Sequence, residues 1–169
     1  MKNSYQITVG FDTSPLYSGH RVRGVGFYTK RLLEALGKID DLKIKELRNE
    51  KEIRKADYDL LHIPYFHPYF LTLPFVKRKP LVITIHDLIP VKYPEHFPPG
   101  IKGRLRWEVQ RKLLRRADAV ITDSFASKKD IVKLTGYPKE KVHVIYLASG
   151  EEFKELNNLK EQKFKENLI

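Results

Sequence analysis

The chain has 169 residues, a length that fits one domain, and 41% of them are hydrophobic, which is enough for a substantial core. It contains no cysteine, so disulfides, thiolate metal sites and cysteine nucleophiles are excluded. The N-terminus lacks the apolar segment of a signal peptide, and no run approaches the roughly 20 apolar residues that span a bilayer. We therefore expect a cytoplasmic protein whose membrane contact is at most peripheral, at the inner face.

The chain is strongly basic. It has 32 Lys and Arg against 21 Asp and Glu, a formal charge of +11. Such a charge attracts polyanions, among them nucleic acid, nucleotide phosphates and anionic lipid. A surface rich in Lys and Glu, as in heat-adapted proteins, explains the excess equally well. Charge alone therefore does not select a partner.

The first half of the chain alternates between strand-like and helix-like patterns. Residues 7–11 alternate at the period of a strand, and after a long loop residues 25–39 repeat apolar side chains at helical spacing. The run at 81–85 is continuous and β-branched, as in a strand covered on both faces. The predicted elements are strand 7–11, helix 25–39, strand 42–47, a charged helical segment, strand 58–63 and strand 81–85.

A predicted helix at 101–117 carries an apolar stripe of Leu105, Val109 and Leu113, which we expect to face the core. The helix is also rich in cations, namely Arg104, Arg106, Arg111, Lys112, Arg115 and Arg116. Two interpretations remain open. The cations form the solvated outer face of a core helix, or they rest on anionic lipid together with the basic run at 77–79.

The alternation continues to residue 147. Residues 119–122 predict a strand, and Ser127 with Asp130 resembles a capping box that begins a helix. That helix stops at the Gly-Tyr-Pro sequence of 136–138, and residues 142–147 predict the last strand.

Strands that alternate with helices imply right-handed crossovers and a Rossmann-like α/β fold, an open and mostly parallel sheet with helices on both faces. Residues 1–150 form the predicted domain. Residues 151–169 are charged and poor in β-branched side chains, so we expect a linker or a marginal helix there.

In open α/β sheets ligands bind beyond the carboxyl ends of the strands. After the first strand, Gly24 and Gly26 would let backbone N–H groups approach a ligand, and Arg21 or Arg23 would favour an anion at the helix N-terminus. The glycines could equally serve only a tight turn. The dinucleotide fingerprint of an oxidoreductase is incomplete, because Thr29 occupies the position of its third glycine.

Polar side chains also follow two later strands. His86 and Asp87 come after the fourth strand, where they would meet a substrate or form a local hydrogen bond. Ser124 follows the fifth strand, either as a helix N-cap or as a ligand contact. We expect no metal site, because no zinc motif matches the spacing of the nearby ring-bearing residues His62, Tyr65, His67 and His86.

Four segments together resemble the N-terminal domain of group 1 retaining glycosyltransferases with the GT-B fold, particularly the mannosyltransferase-like branch. They are residues 23–36 (RGVGFYTKRLLEAL), 84–90 (TIHDLIP), 117–130 (ADAVITDSFASKKD) and 139–148 (KEKVHVIYLA). Their order and spacing also fit that family. No single segment is decisive, but the combination is specific.

The resemblance implies two Rossmann-like domains that face each other across a cleft, with this chain on the acceptor side. Carried over, Gly24, Val25 and Gly26 would line the cleft near the donor phosphates and the acceptor, and His86 would contact the transferred sugar. Ser124 lies in a matching motif without an assigned role.

The same resemblance implies transfer of a hexose, such as mannose, from a nucleotide sugar to a glycan or lipid-linked acceptor, as in cell-envelope polysaccharide synthesis. It implies no cofactor, no essential metal and no nucleic acid partner. The family's E-x7-E motif and phosphate-binding Arg and Lys belong to a C-terminal domain, and no two glutamates here have that spacing. We therefore expect this chain alone to be inactive. The alternatives are a basic α/β nucleic-acid-binding module and a dinucleotide-binding oxidoreductase domain.

Overall fold

The computed structural model describes residues 6–150, which form one sheet of six strands with helices between them. The strands are β1 (Ile7–Asp12), β2 (Leu42–Leu47), β3 (Leu60–Ile63), β4 (Leu81–Thr84), β5 (Ala119–Thr122) and β6 (Val142–Val144). The helices are α1 (Gly24–Leu36), α2 (Glu50–Lys55), α3 (Ile89–Lys92), α4 (Gly100–Leu114) and α5 (Phe125–Thr135). Short 3-10 helices lie at Ser14–Tyr17 and Lys139–Lys141.

The strand order is β2-β1-β3-β4-β5-β6, and every neighbouring pair is parallel. This confirms the predicted open α/β sheet. The chain moves outward from β1 to β2 and then crosses back to β3, so the direction of winding reverses between β1 and β3. Ligands of such sheets bind at the carboxyl edge beside this reversal.

The two faces of the sheet are built differently. Alternate residues of neighbouring strands point to one face, where Ile63, Ile83 and Val120 join Leu114 of α4 and Ile131 of α5 in the hydrophobic core. The opposite face, covered by α1, buries the polar side chains of His62 and Thr84. The apolar cluster therefore lies on one side of the sheet, and the other side buries these polar groups together with the apolar side chains of Val9 and Phe11.

The predicted start of α5 is wrong by three residues. Ser124 leaves β5 in an extended conformation, and its hydroxyl accepts a hydrogen bond from the Ser127 backbone N–H at 3.0 Å. Ser124 is therefore the N-cap, as the alternative interpretation had it, and Ser127 lies inside the helix. Asp130, predicted to complete a capping box, instead binds Lys92 of α3 at 2.8 Å. The helix ends as predicted at Gly136, whose φ of 69° suits glycine.

The predicted core-facing stripe of α4 is wrong at Leu105 and Val109, which are exposed, whereas Leu113 is partly buried and packs against the core as predicted. The residues of the helix that are fully buried are Gly103, Gln110 and Leu114. Gly103 allows close packing, because a Cβ there would lie 2.9 Å from the Pro99 side chain. The buried face thus contains a glycine and an amide, and a search for apolar periodicity selects the opposite face.

Gln110 explains why an amide is buried. Its side-chain N–H groups donate to the carbonyls of His67 and Phe70 at 3.0 and 2.7 Å, and Nε2 lies 2.7 Å from the Thr72 hydroxyl. Its Oε1 accepts from the Leu73 N–H at 3.3 Å. One side chain therefore satisfies the backbone of the loop that follows β3, which otherwise has few partners.

Three strands are shorter than predicted, and β4 falls short only at residue 85. β3 begins at Leu60. Before it, the Tyr58 ring packs so closely on Gly10 of β1 that a Cβ on Gly10 would lie 2.9 Å from the ring. β6 ends at Val144, and Ile145 continues it only through one hydrogen bond to the Thr122 carbonyl. The predicted linker or helix at 151–169 lies outside the described residues.

Candidate active site

The carboxyl edge of the sheet holds a cavity of about 390 Å³ beside the reversal of strand order. It lies between the 3-10 helix at Ser14–Tyr17, the start of α2 and the loop at 70–74. Polar and aromatic side chains line it, including Asp12, Ser18, His20, Asn49, Tyr65 and Phe70. The position agrees with the rule for ligand sites in open α/β sheets.

Asp12 forms the floor of this region at the end of β1. It is 7% exposed, and its Oδ1 accepts a hydrogen bond from the Ser14 N–H at 2.9 Å. Burial raises the pKa of the Asp12 carboxyl, while the hydrogen bonds from Ser14 oppose that rise. Sequence analysis did not select Asp12, although it stands where its strand meets the loop.

An aromatic pair lines one side of the cavity. The rings of His20 and Tyr65 lie 4.6 Å apart, and Tyr65 also lies beside His67. Burial raises the pKa of the Tyr65 phenol, Arg23 lowers it and Asp87 raises it. Two predicted site residues, Arg23 and Asp87, therefore lie close enough to Tyr65 to act on it electrostatically.

Asp87 also has a local role. Its side chain is exposed, and Oδ1 accepts a hydrogen bond from the Ile89 N–H at 2.9 Å, at the start of α3. This is the local hydrogen bond that the sequence offered as the alternative to ligand binding.

The N-terminus of α1 follows the loop whose residues Ser18 and His20 line the cavity. No side chain caps it, and its first turn contains no acidic residue. Gly24 is exposed and Val25 is partly exposed, and a Cβ on Gly24 would meet open space. Gly26 is buried, with the Arg21 carbonyl oxygen only 2.6 Å from the place of a Cβ, so glycine is needed there for the loop before α1 to pack closely.

His86 lies at the end of β4, held from two sides. Its Nδ1 is 2.7 Å from Oδ2 of Asp123, and the ring of Tyr28 packs edge-on at 4.6 Å. A carboxylate only accepts hydrogen bonds, so Nδ1 carries the proton, and in the neutral ring Nε2 is left as an acceptor. Nε2 of His86 and Oδ1 of Asp123 are buried without a partner among the described residues.

A chain of hydrogen bonds runs beneath His86. The Tyr28 hydroxyl lies 3.3 Å from the Thr84 hydroxyl, which lies 3.0 Å from Nε2 of His62. His62 is 6% exposed, and burial lowers its pKa to about 4, so its ring is neutral at pH 7.

This shift predicts a pH-dependent stability. Between pH 4 and 6.5 the unfolded chain binds a proton at His62 that the folded chain does not, so stability falls as the pH drops through this window. The loss approaches about 3 kcal/mol at the acid end. Urea unfolding should show it, and the difference from the His62→Gln variant should change with pH. Parallel pH profiles for the two chains would contradict this assignment.

The structure thus brings α1 and His86 together, because Tyr28 lies about one turn beyond Gly24 and contacts the His86 ring. Ser124 is turned to α5, where its hydroxyl also lies 3.0 Å from that of Ser127. Sequence analysis missed Tyr28 and Asp123. Asp123 could have been found, because β4 and β5 are neighbours and their carboxyl ends must meet.

Among residues 6–150 no three His, Asp or Glu side chains lie close enough to hold a metal ion. None of the helices in that range combines the length and the apolar composition needed to cross a bilayer.

Sequence comparison identifies the class of protein. The family model described as Glycosyltransferase Family 4 matches residues 42–148, from β2 to beyond β6. No curated protein matches the chain. The match covers more than half of the chain, so the chain belongs to glycosyltransferase family 4, in agreement with the resemblance seen in the sequence. The matched range includes His86 and Asp123 but not β1 and α1.

Proposed function

We propose that this chain is the acceptor-side half of a nucleotide-sugar-dependent, retaining glycosyltransferase of the GT-B type, which transfers a hexose to a glycan or lipid-linked acceptor. Mannose is the first donor sugar to test. The observation that carries the proposal is that α1, whose N-terminus no side chain caps, packs through the Tyr28 ring against His86 at the carboxyl edge of the sheet. A second, donor-binding domain would face this edge from the opposite side.

The start of α1 supplies positive charge without a metal ion. The free N–H groups of an uncapped helix attract anions, and Arg23 lies at the N-cap position. A leaving nucleoside diphosphate gains negative charge as the sugar departs, so fixed donors that point towards it stabilise the transition state. In this proposal no cofactor is needed, and the nucleotide sugar is a substrate.

His86 is suited to bind the transferred sugar. Asp123 fixes its ring and leaves Nε2 as a hydrogen-bond acceptor, which matches a sugar hydroxyl. In this role His86 orients the sugar and does not act as a nucleophile. The proposal therefore assigns it a substrate contact in the active site, with Asp123 as a positioning residue.

The cavity beside β1 supplies a place for the acceptor. Its volume falls within the range of roughly 300–1,000 Å³ for small-molecule sites. The polar groups of Asp12 and Asn49 match sugar hydroxyls, and the rings of Tyr65 and Phe70 match the apolar faces of a sugar. In this proposal the cavity and His86 share the carboxyl edge of the sheet, so acceptor and donor would lie side by side.

The test compares two proteins, this chain alone and the chain joined to its donor-binding domain. With labelled GDP-mannose, UDP-glucose or other nucleotide sugars and a lipid-linked acceptor, we expect transfer by the two-domain protein and none by the single chain. Transfer by the single chain would contradict the proposal that a separate domain binds the donor. Failure with every donor, together with tight oligonucleotide binding that weakens steeply with salt, would favour the nucleic-acid module instead.

A further inference from the structure

The outward face of α4 carries apolar side chains, although the solvent-exposed face of a helix is normally polar. Ile101, Leu105 and Val109 follow one another at intervals of four residues, so they form a single stripe along the helix. They are 80%, 64% and 36% exposed. Because Gly103, Gln110 and Leu114 face the core from the opposite side, this stripe has no partner within the described residues.

Cations flank the stripe on both sides. Lys102, Arg104, Lys112 and Arg115 are exposed along α4. Glu108 is the one acidic residue of the helix, and Arg111 binds it at 2.6 Å. The surface therefore combines exposed aliphatic groups with a clear excess of positive charge.

The loop beside α4 extends the same surface. Phe70 and Phe75 are 59% and 50% exposed. Phe70 lies next to Arg106 of the helix, and Phe75 lies next to Arg116, just after the helix ends. The Arg106 guanidinium lies 5.9 Å from the centre of the Phe70 ring, and Arg116 donates to the Phe75 carbonyl at 2.6 Å. We call the α4 stripe, its flanking cations and these two rings the α4 surface.

Three partners could cover a basic apolar surface, and their chemistry separates them. Nucleic acid would pair with the cations but leave Ile101 and Leu105 in water. A second copy of the chain, docked about a two-fold axis, would place the same cations against themselves. An anionic bilayer satisfies both features, because phosphates meet the cations while the aliphatic side chains enter the acyl boundary.

We propose that the α4 surface docks this chain on an anionic membrane, with α4 lying in the interface. α4 follows the carboxyl end of β4, so its first turn stands at the edge of the sheet that carries His86. Docking through α4 would hold this edge of the sheet close to the lipid headgroups. The inference does not depend on glycosyl transfer, because it rests on exposure and charge alone.

Co-sedimentation with vesicles tests the proposal. The full 169-residue chain should bind vesicles of phosphatidylcholine and phosphatidylglycerol and bind pure phosphatidylcholine weakly. Leu105→Gln should weaken binding about tenfold, since it removes one buried leucine from the acyl boundary. The Lys112→Gln/Arg115→Gln variant should weaken it roughly 25-fold, about fivefold for each cation.

Matched variants at the far side of the sheet serve as controls. Ile39→Gln removes an exposed aliphatic group after α1, and Lys43→Gln/Lys51→Gln removes the same charge from β2 and α2. Both should bind as the parent chain does, and circular dichroism should show every variant folded.

Three results would overturn the proposal. The first is equal binding to neutral and anionic vesicles, and the second is an equal loss in the control variants. The third is a concentration-dependent dimer that Leu105→Gln abolishes while vesicles are not bound, which would assign the surface to a second copy of the chain.

Discussion

Replacing Gly26 with alanine should destabilise the chain and displace the loop before α1. The new Cβ would overlap the backbone of the loop before α1, lying 2.6 Å from the Arg21 carbonyl oxygen. Alanine improves helix propensity by about 1 kcal/mol, but backbone atoms cannot yield as a flexible side chain does. We expect overpacking to prevail, with a net loss of about 1–3 kcal/mol in the free energy of unfolding.

Gly24 provides the matched control two residues away. A Cβ there meets nothing within 4 Å, so Gly24→Ala should leave stability within about 0.5 kcal/mol of the parent. Urea unfolding compares the two variants, and NMR shifts of His20 and Tyr65 report the loop. If both variants proved equally stable, the loop would not pack on Gly26 as described.

Replacing His86 with alanine should reduce sugar transfer by the two-domain protein far more than it reduces stability. The sugar hydroxyl loses its hydrogen-bond partner when the His86 ring is removed. We therefore expect kcat/KM to fall on the order of 10²-fold, about 2.7 kcal/mol. The fall should appear mainly in kcat if the contact strengthens as the sugar departs. His96→Ala, which removes a histidine whose side chain is 74% exposed, should leave transfer unchanged.

The Asp123→Asn variant tests whether Asp123 positions His86, because it keeps the volume of the side chain and removes its charge. The introduced amide can donate a hydrogen bond to Nδ1 of His86, and the ring proton would then move to Nε2. Nε2 would become a donor and could no longer accept a hydrogen bond from the sugar hydroxyl. We expect about a tenfold loss of kcat/KM with little change in unfolding free energy, and His86→Ala should then mask the effect of Asp123→Asn. Additive losses in the double variant, or a loss of stability equal to the loss of activity, would assign the pair a structural role.

The fold follows from patterns that are local in the sequence. Strands such as β4 are short apolar runs, and their alternation with helices allows few topologies. The errors arose where tertiary packing decides. In α4 the buried face contains Gly103 and Gln110, so periodicity of apolar residues pointed to the wrong side. At α5, Ser124 and Ser127 offer two capping patterns, and only the extended backbone at Ser124 selects one.

The candidate site could be predicted only in part. His86 was found because it follows a buried strand, and Gly24 and Gly26 because glycines precede a helix. Asp123 stands at the corresponding position after β5, and it could have been paired with His86 by treating β4 and β5 as neighbours; the two side chains lie 2.7 Å apart although 37 positions separate them in the sequence. The cavity is assembled from loops after three strands, and no sequence spacing reveals such a convergence.

Gln110 joins two regions that would otherwise move separately. Its amide is anchored in α4, and its hydrogen bonds hold the loop at 67–73, part of which forms a wall of the cavity beside β1. A displacement of α4 would therefore be passed to that wall through one fully buried side chain. The shape of the cavity and the position of α4 are mechanically linked.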